Sequence, residues 1–138
     1  MPKIILLVED NPDDEELTRM ALEQAFAECD IVVTSGGVSV GELDFVKDAF
    51  TLLGGELEFW RVAIRPGKPF VFGKLGGKFL FGLPGNPVSA FVTFLVLAYP
   101  ALRRWQGASQ PGLPVFSGVL GEPLSNPGDR RHFLRQRH

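Results

Sequence analysis

Hydrophobic and polar positions follow two different patterns in the first half of the chain. Short apolar runs without alternation, at residues 4–8 and 30–33, are typical of parallel strands that are covered on both faces. Apolar residues that recur every three or four positions, at residues 17–29 and 45–53, predict two amphipathic helices. A strand, a helix and a second strand form a right-handed crossover, so we expect residues 4–8 to pair in parallel beside residues 31–33.

The second half of the chain predicts a further strand, a hairpin and a buried helix. Residues 57–64 read as the strand, and residues 70–81 as a hairpin that turns at Gly76 and Gly77. The uninterrupted apolar run 88–99 is shorter than the roughly 20 residues that a membrane-spanning helix needs, so a core helix is expected. Together these elements predict a three-layer α/β domain, with a mainly parallel sheet, helices on both faces and a short β extension at the C-terminus.

Two glycine-rich corners separate strands from helices. Residues 34–41 (Thr-Ser-Gly-Gly-Val-Ser-Val-Gly) follow one strand, and residues 82–87 (Gly-Leu-Pro-Gly-Asn-Pro) lead from the hairpin into the apolar helix. Asn86 is a favoured N-cap and Pro87 suits the first helical position, so the corner is predicted to present free backbone N–H groups to an anion. The alternative is that glycine and proline only punctuate a strand–helix joint. Loops at the carboxyl ends of strands line one crevice, so both corners are predicted to face the same ligand.

Composition and charge limit the classes of function. A chain of 138 residues that is 45% hydrophobic suits one globular domain, and a net charge of -2 gives no general attraction to nucleic acid or to acidic lipid. The single cysteine, Cys29, cannot form an internal disulfide, and no signal peptide is recognisable, so a cytoplasmic setting is expected. Residues 61–78 carry five cations and no acid, which either solvate the surface or neutralise a phosphate.

Six acids lie within residues 9–16. They either solvate a loop and the first turn of a helix, or they form a divalent-cation site at the end of the first strand. Residues 3–14 (Lys-Ile-Ile-Leu-Leu-Val-Glu-Asp-Asn-Pro-Asp-Asp) resemble the opening of a response-regulator receiver domain, in which Glu9 and Asp10 would hold Mg²⁺. A receiver also needs a phosphoacceptor aspartate after its third strand, whereas the comparable strand here ends in Val-Thr-Ser-Gly at 33–36. Phosphorelay is therefore not expected.

A longer resemblance begins at residue 30. Residues 30–47 (Asp-Ile-Val-Val-Thr-Ser-Gly-Gly-Val-Ser-Val-Gly-Glu-Leu-Asp-Phe-Val-Lys), 59–70 (Phe-Trp-Arg-Val-Ala-Ile-Arg-Pro-Gly-Lys-Pro-Phe) and 82–89 (Gly-Leu-Pro-Gly-Asn-Pro-Val-Ser) resemble, in order, motifs of the molybdopterin molybdotransferases, the MoeA and gephyrin E-domain family. The resemblance covers roughly residues 21–138. It implies a MogA-like or flavodoxin-like α/β domain. It also implies that adenylylated molybdopterin and molybdate are substrates, from which the family makes the metal-loaded cofactor and releases AMP.

The same resemblance implies roles for individual residues. Asp44 would be the catalytic carboxylate, and Arg65 and Lys68 would bind anions, with Arg65 standing where the family commonly has lysine. Pro84 and Pro87 would shape the wall of the site. The remaining residues expected to contact the pterin substrate are Ser35, Gly36, Gly37, Ser39, Gly41, Lys47, Gly85, Asn86 and Ser89.

The chain also departs from the family. A Gly-Asp-Glu motif, an Asp-Ser-Asn motif and the family's N-terminal domains are not found in it, and residues 122–135 resemble the start of the family's C-terminal β-domain. We therefore expect an α/β domain at 1–106, with a receiver-like segment at 1–22, and a truncated β-domain at 107–138. A junction between two families near residues 19–23, inside a helix, is typical of an engineered chimera.

Three functions follow from these expectations. The first is a molybdopterin-binding fragment that is inactive alone but keeps a site for an anion or a pterin phosphate. The second is a structural chimera with no ligand, and the third is a receiver-like Mg²⁺-binding module. No nucleic-acid or membrane partner is expected, and the chain is expected to be able to form a homo-oligomer through an exposed sheet edge.

Overall fold

A five-stranded sheet lies between helices on both of its faces in the computed structural model of the chain, which describes residues 4–8, 15–35, 42–59, 62–66 and 69–134. The strands are β1 Ile4–Val8, β2 Ile31–Ser35, β3 Glu56–Phe59, β4 Ile64–Arg65, β5 Val71–Leu75, β6 Lys78–Gly82 and β7 Arg131–His132. The helices are α1 Glu15–Glu28, α2 Glu42–Leu52, α3 Pro87–Thr93 and α4 Tyr99–Trp105, and a π-helical turn, Phe94–Ala98, joins the last two.

The sheet is mixed, and its strand order is β1-β2-β6-β5-β3. β1 pairs in parallel with β2, with Ile4 opposite Ile31, so the predicted position of the first strand is confirmed. β6 also runs parallel to β2, whereas β5 and β3 are antiparallel additions. The predicted hairpin is present and turns at Gly76, where φ is 61°. The α/β class is therefore confirmed, but only β1, β2 and β6 form the parallel part of the sheet.

The helices α1 and α2 cover one face of the sheet. Leu22 and Phe26 of α1, Phe50 of α2 and Leu80 of β6 belong to one buried cluster, in which the Phe26 and Phe50 rings lie 5.6 Å apart. The buried stripe of α1 differs from the predicted apolar stripe near the start of the helix, where Thr18 is buried and Leu17 is exposed. Both predicted amphipathic helices are otherwise present at the expected places.

The other face of the sheet is covered by the helical run from α3 to α4. Phe81 and Leu83 pack there against Ala98 and Leu102, and the Trp105 ring stacks on Phe79 at 4.4 Å. The run is longer than the predicted helix at 88–99, and it contains a proline, Pro100, whose nitrogen has no hydrogen to donate. Within the described ranges, no helix is long and apolar enough to cross a membrane.

The predicted strand at 57–64 is wrong in its second half. β3 ends at Phe59, and β4 belongs to a separate two-stranded sheet, in which it pairs in parallel with β7. The backbone N–H of Arg131 donates to the Ala63 carbonyl at 3.1 Å, and that of Phe133 donates to the Arg65 carbonyl at 2.8 Å. The end of the chain therefore packs back on the body and takes backbone groups that the prediction had placed in the main sheet.

Candidate ligand site

The two glycine-rich corners leave the sheet at the same edge. Thr34 of β2 lies opposite Gly82 of β6, and the Leu83 N–H donates to the Thr34 carbonyl at 2.8 Å. On the other side of β6, a Cβ on Gly82 would lie 2.9 Å from the Cβ of Val71, so only glycine permits the approach of β5 and β6 here without a shift. Because β2 and β6 are parallel neighbours, the two corners that follow their carboxyl ends begin on one side of the molecule, as the sequence predicts.

The corner before α3 caps its own helix. The Asn86 side-chain oxygen accepts hydrogen bonds from the backbone N–H groups of Val88 at 2.9 Å and Ser89 at 3.2 Å. Pro87 has no N–H, and the Ala90 N–H donates to the Asn86 carbonyl at 2.8 Å. The prediction that this helix start offers free backbone N–H groups is therefore wrong. The N–H groups of Val88, Ser89 and Ala90 are thus already bonded within the chain.

A cleft of about 420 Å³ lies beside this corner. Its walls come from three segments that are distant in sequence: β4 and the residue after it, the start of α3, and the tail from β7 onward. The lining residues are Arg65, Pro66, Asn86, Val88, Ser89, His132, Phe133 and Leu134. The Arg65 guanidinium, the Asn86 amide, the Ser89 hydroxyl and the His132 imidazole are all groups that donate hydrogen bonds, and the described lining contains no carboxylate.

Arg65 has no acidic partner among the side chains that the structure describes. The ion pairs among the described side chains join Arg19 to Glu16 and Glu23 on α1, and Lys74 of β5 to Glu58 of β3. Arg65 is half-buried at the cleft wall, with its backbone held in the β4–β7 ladder. A positive side chain on a fixed backbone, with no acidic partner among the described residues, is suited to pairing with an anionic ligand.

The other described site candidates are not part of the cleft lining. Ser35 ends β2 at the same edge of the sheet, and Pro84, Gly85 and Pro87 form the turn before α3, with Pro84 buried. None of these four lines the cleft, and neither does Lys47, which is half-buried on α2. Among the predicted residues, the structure thus brings together Arg65, Asn86 and Ser89.

Several predicted site residues cannot be placed. Asp44 belongs to α2, but its side chain is not described. The residues that lie wholly outside the described part are Glu9, Asp10, Gly36, Gly37, Ser39, Gly41 and Lys68. In the ranges that are described, no group of three or more His, Cys, Asp or Glu side chains could hold a metal ion.

Sequence reasoning missed the contribution of the tail to the cleft. His132, Phe133 and Leu134 form one wall, although residues 122–135 had suggested only the beginning of another domain. The ladder that places them contains two residue pairs, Ile64 with Arg131 and Arg65 with His132. Two pairs are too few to leave a periodic pattern, so no sequence signal could have identified the contact.

Residues 8–104 match the family described as the probable molybdopterin binding domain. The chain belongs to this family. It is 46% identical over 125 residues to a molybdopterin molybdenumtransferase of Haemophilus influenzae. This alignment covers 90% of the chain and 31% of that relative. It is 41% identical over 128 residues to molybdopterin molybdenumtransferase 2 of Mycobacterium tuberculosis, with coverage of 89% and 32%.

A solved structure supports the same family. The molybdopterin biosynthesis MoeA protein of Pyrococcus horikosii superposes with a TM-score of 0.60 and 39% identity, over 69% of this chain and 23% of that one. The chain thus spans about a third of the length of the two curated relatives named above, at 31% and 32%. The family match begins at residue 8, well before the predicted junction at 19–23, and no finding supports a receiver-derived segment. That origin, and with it an engineered chimera, stays a sequence prediction.

Proposed function

We propose that the chain binds molybdopterin, with the phosphate of the pterin held in the cleft between β4, the start of α3 and β7. The observation that carries the proposal is the cleft lining, in which Arg65, Asn86, Ser89 and His132 surround one space without a described carboxylate. Membership of the molybdopterin-binding family supplies the class of ligand.

The shape and chemistry of the cleft support a ligand with one anionic end and one flat apolar part. Its volume, about 420 Å³, falls within the range of roughly 300–1,000 Å³ that is usual for small-molecule sites. Arg65 presents a planar fork that matches two phosphate oxygens, and the Asn86 amide and the Ser89 hydroxyl add neutral donors. Val88, Phe133 and Leu134 line the same space and offer apolar contacts to a ring system.

The remaining predicted residues extend this site by resemblance to the family. Lys68 would add a second cation beside Arg65, the loop at 35–41 would approach the ligand through its backbone, and Asp44 would serve the metal chemistry. Adenylylated molybdopterin and molybdate are the substrates that the resemblance implies, with Mg²⁺ as their companion ion. We propose these roles on the motif match alone.

The chain is proposed to bind without inserting molybdenum. The named molybdenumtransferases are about three times as long as the segment they share with it. Catalysis requires reacting groups to be held to within a fraction of an ångström, and a partial site loses orders of magnitude in rate. Incubation of the purified chain with adenylylated molybdopterin and molybdate is expected to yield no metal-loaded cofactor. Turnover would refute the proposed inactivity while leaving the binding site intact.

Calorimetric titration with molybdopterin tests the binding itself. Each solvent-exposed charge contact contributes about 1 kcal/mol, so we expect a dissociation constant in the high micromolar to millimolar range. Arg65→Ala removes a charge-assisted hydrogen bond and is expected to weaken binding about tenfold. The matched control is Arg104→Ala, because Arg104 is exposed on α4 and does not line the cleft. Equal affinity for both variants and the unmodified chain would rule out the proposed site.

A further inference from the structure

The β4–β7 ladder places a histidine beside the arginine of the cleft. Arg65 lies opposite His132 in the register of these two parallel strands. Paired residues on neighbouring strands point to the same face of a sheet, and their strands lie about 4.8 Å apart. Both residues are half-buried and both line the cleft. The guanidinium and the imidazole therefore face the same space.

The backbone is held on both sides of His132. The N–H of the residue before it, Arg131, donates to the Ala63 carbonyl at 3.1 Å, and the N–H of the residue after it, Phe133, donates to the Arg65 carbonyl at 2.8 Å. A side chain that projects from a fixed backbone loses less conformational freedom when it contacts a ligand. His132 is thus directed into the cleft before any ligand binds.

The described groups around His132 are neutral or positive. The polar side chains that line the cleft from β4 and from the start of α3 are those of Arg65, Asn86 and Ser89. On the tail, Arg130 and Arg131 precede His132, and neither belongs to the described lining. The nearest carboxylate in the sequence, Asp129, is exposed and also lies outside that lining. A positive charge on the imidazole therefore has no described carboxylate in the cleft with which to pair.

We propose that protonated His132 binds the anionic end of the ligand together with Arg65, so that binding takes up a proton. The inference rests on the proposed function, because it concerns the same cleft. A guanidinium and an imidazolium on one wall balance two negative charges, which matches the terminal phosphate of a pterin or another doubly charged anion. His132 then makes the strength of anion binding depend on pH.

The direction of the pH dependence follows from the charges. Histidine is the side chain whose charge ordinarily changes between pH 5 and pH 8. Two neighbouring positive side chains repel each other, and an anion between them removes this repulsion. Anion binding and protonation of the imidazole therefore favour each other, because coupling between two binding equilibria is reciprocal. Anion affinity rises as the pH falls through this range.

Calorimetric titration of the full chain with sulfate tests the proposal, because sulfate keeps its double charge across this pH range. The unmodified chain is expected to bind sulfate about tenfold more tightly at about pH 5.5 than at about pH 8. His132→Gln is expected to reduce this difference to less than about twofold, since glutamine does not titrate. The matched control is His138→Gln, which changes the other histidine of the sequence and should keep the full pH dependence.

Two further measurements count the proton and its site. Titrations in buffers of different ionisation enthalpy should show uptake of up to about one proton when sulfate binds to the unmodified chain near neutral pH. His132→Lys carries a permanent charge at these pH values, so it should bind sulfate tightly at both of them and take up no proton. In nuclear magnetic resonance spectra, sulfate should shift the ring signals of His132 in the unmodified chain.

The outcomes separate this inference from the proposed function. The role of His132 is overturned by a sulfate affinity that does not change with pH, by a pH dependence that persists in His132→Gln, or by binding without proton uptake. If Arg65→Ala still weakens sulfate binding in any of these cases, the anion cleft of the proposed function stands without His132. Absence of sulfate binding at every pH overturns both.

Discussion

The body of the molecule, residues 15–105, and the tail, residues 107–134, use apolar residues with opposite results. Leu22, Val32 and Phe50 in the body are completely buried, whereas Phe116 and Val119 in the tail are almost completely exposed. The body has a sheet with a layer of helices on each face, and each apolar stripe meets another. The difference shows that apolar composition produces burial only where a second layer is present to receive it.

The connection between the two regions is small. Beyond the bonds by which Gly107 and Ala108 close the end of α4, the backbone contacts between tail and body in the described ranges are the two β4–β7 pairs, with their hydrogen bonds from Arg131 and Phe133. Elements with few buried contacts open at low free energy, while core elements open only with the whole domain. Substitutions at comparable residues in the two regions should therefore have very different effects on stability.

Phe50→Ala is expected to have the largest effect. Phe50 is buried against Phe26, Gly55 before β3 and Gly73 of β5, so its removal leaves a cavity and should lower the free energy of unfolding by about 3–5 kcal/mol. The matched change in the tail, Phe116→Ala, should stay within about 0.5 kcal/mol. Urea denaturation followed by circular dichroism measures both. Similar losses for the two variants would contradict the contrast between body and tail.

Gly73→Ala is expected to have an intermediate effect. A Cβ at Gly73 would lie 2.7 Å from the Phe50 ring and 3.0 Å from the Glu56 carbonyl oxygen, and the backbone atom cannot move without disturbing the β3–β5 pair. Such overpacking should lower stability by about 1–3 kcal/mol. Gly118→Ala is the control, because no atom lies within 4 Å of the added carbon. Thermal unfolding of the pair tests the prediction, and an unchanged midpoint for Gly73→Ala would show that the sheet relaxes around it.

Asn86→Ala is expected to have the smallest effect of the three. It removes the side-chain oxygen that accepts from the Val88 and Ser89 N–H groups, and N-cap losses of this kind cost about 1 kcal/mol. Asn126→Ala in the tail removes one exposed hydrogen bond, to the Arg130 carbonyl, and should change stability by less than about 0.5 kcal/mol. Urea midpoints in the order unmodified, Asn126→Ala, Asn86→Ala, from high to low, are the expected outcome; the reverse order of the two variants would refute the capping role.

Sequence reasoning succeeded where a local pattern determines the structure. The periodicity of α1 and α2, the Gly76 turn and the crossover that places β1 beside β2 are all properties of contiguous residues or of chain handedness. It failed where a side chain or a distant segment competes for backbone groups. Asn86 takes the N–H groups predicted for an anion, and Arg131 pairs with a stretch predicted to extend β3. Such choices depend on relative free energies that no single stretch reveals.

The residues of the candidate site also fall into those that the sequence predicted and those that it missed. Motif resemblance pointed to Arg65, Asn86 and Ser89, which the fold brings to one cleft, but it did not indicate that the tail supplies the facing wall. The domain division at residue 106 stays a prediction, although α4 ends at Trp105 and the residues from 112 to 129 are exposed. In the proposed site, which body and tail share, the tail is part of the binding unit rather than an appendage.

The most direct test of the cleft is a titration of the isotope-labelled chain with inorganic phosphate, followed by amide nuclear magnetic resonance spectra. The account predicts saturable shifts at Arg65, Val88, Ser89, His132 and Phe133, which lie in three separate segments but line one space. The shifts should be lost in Arg65→Ala and kept in Arg104→Ala. Shifts confined to other segments, or no saturation at concentrations well above the millimolar range, would contradict the claim that body and tail together form an anion-binding cleft.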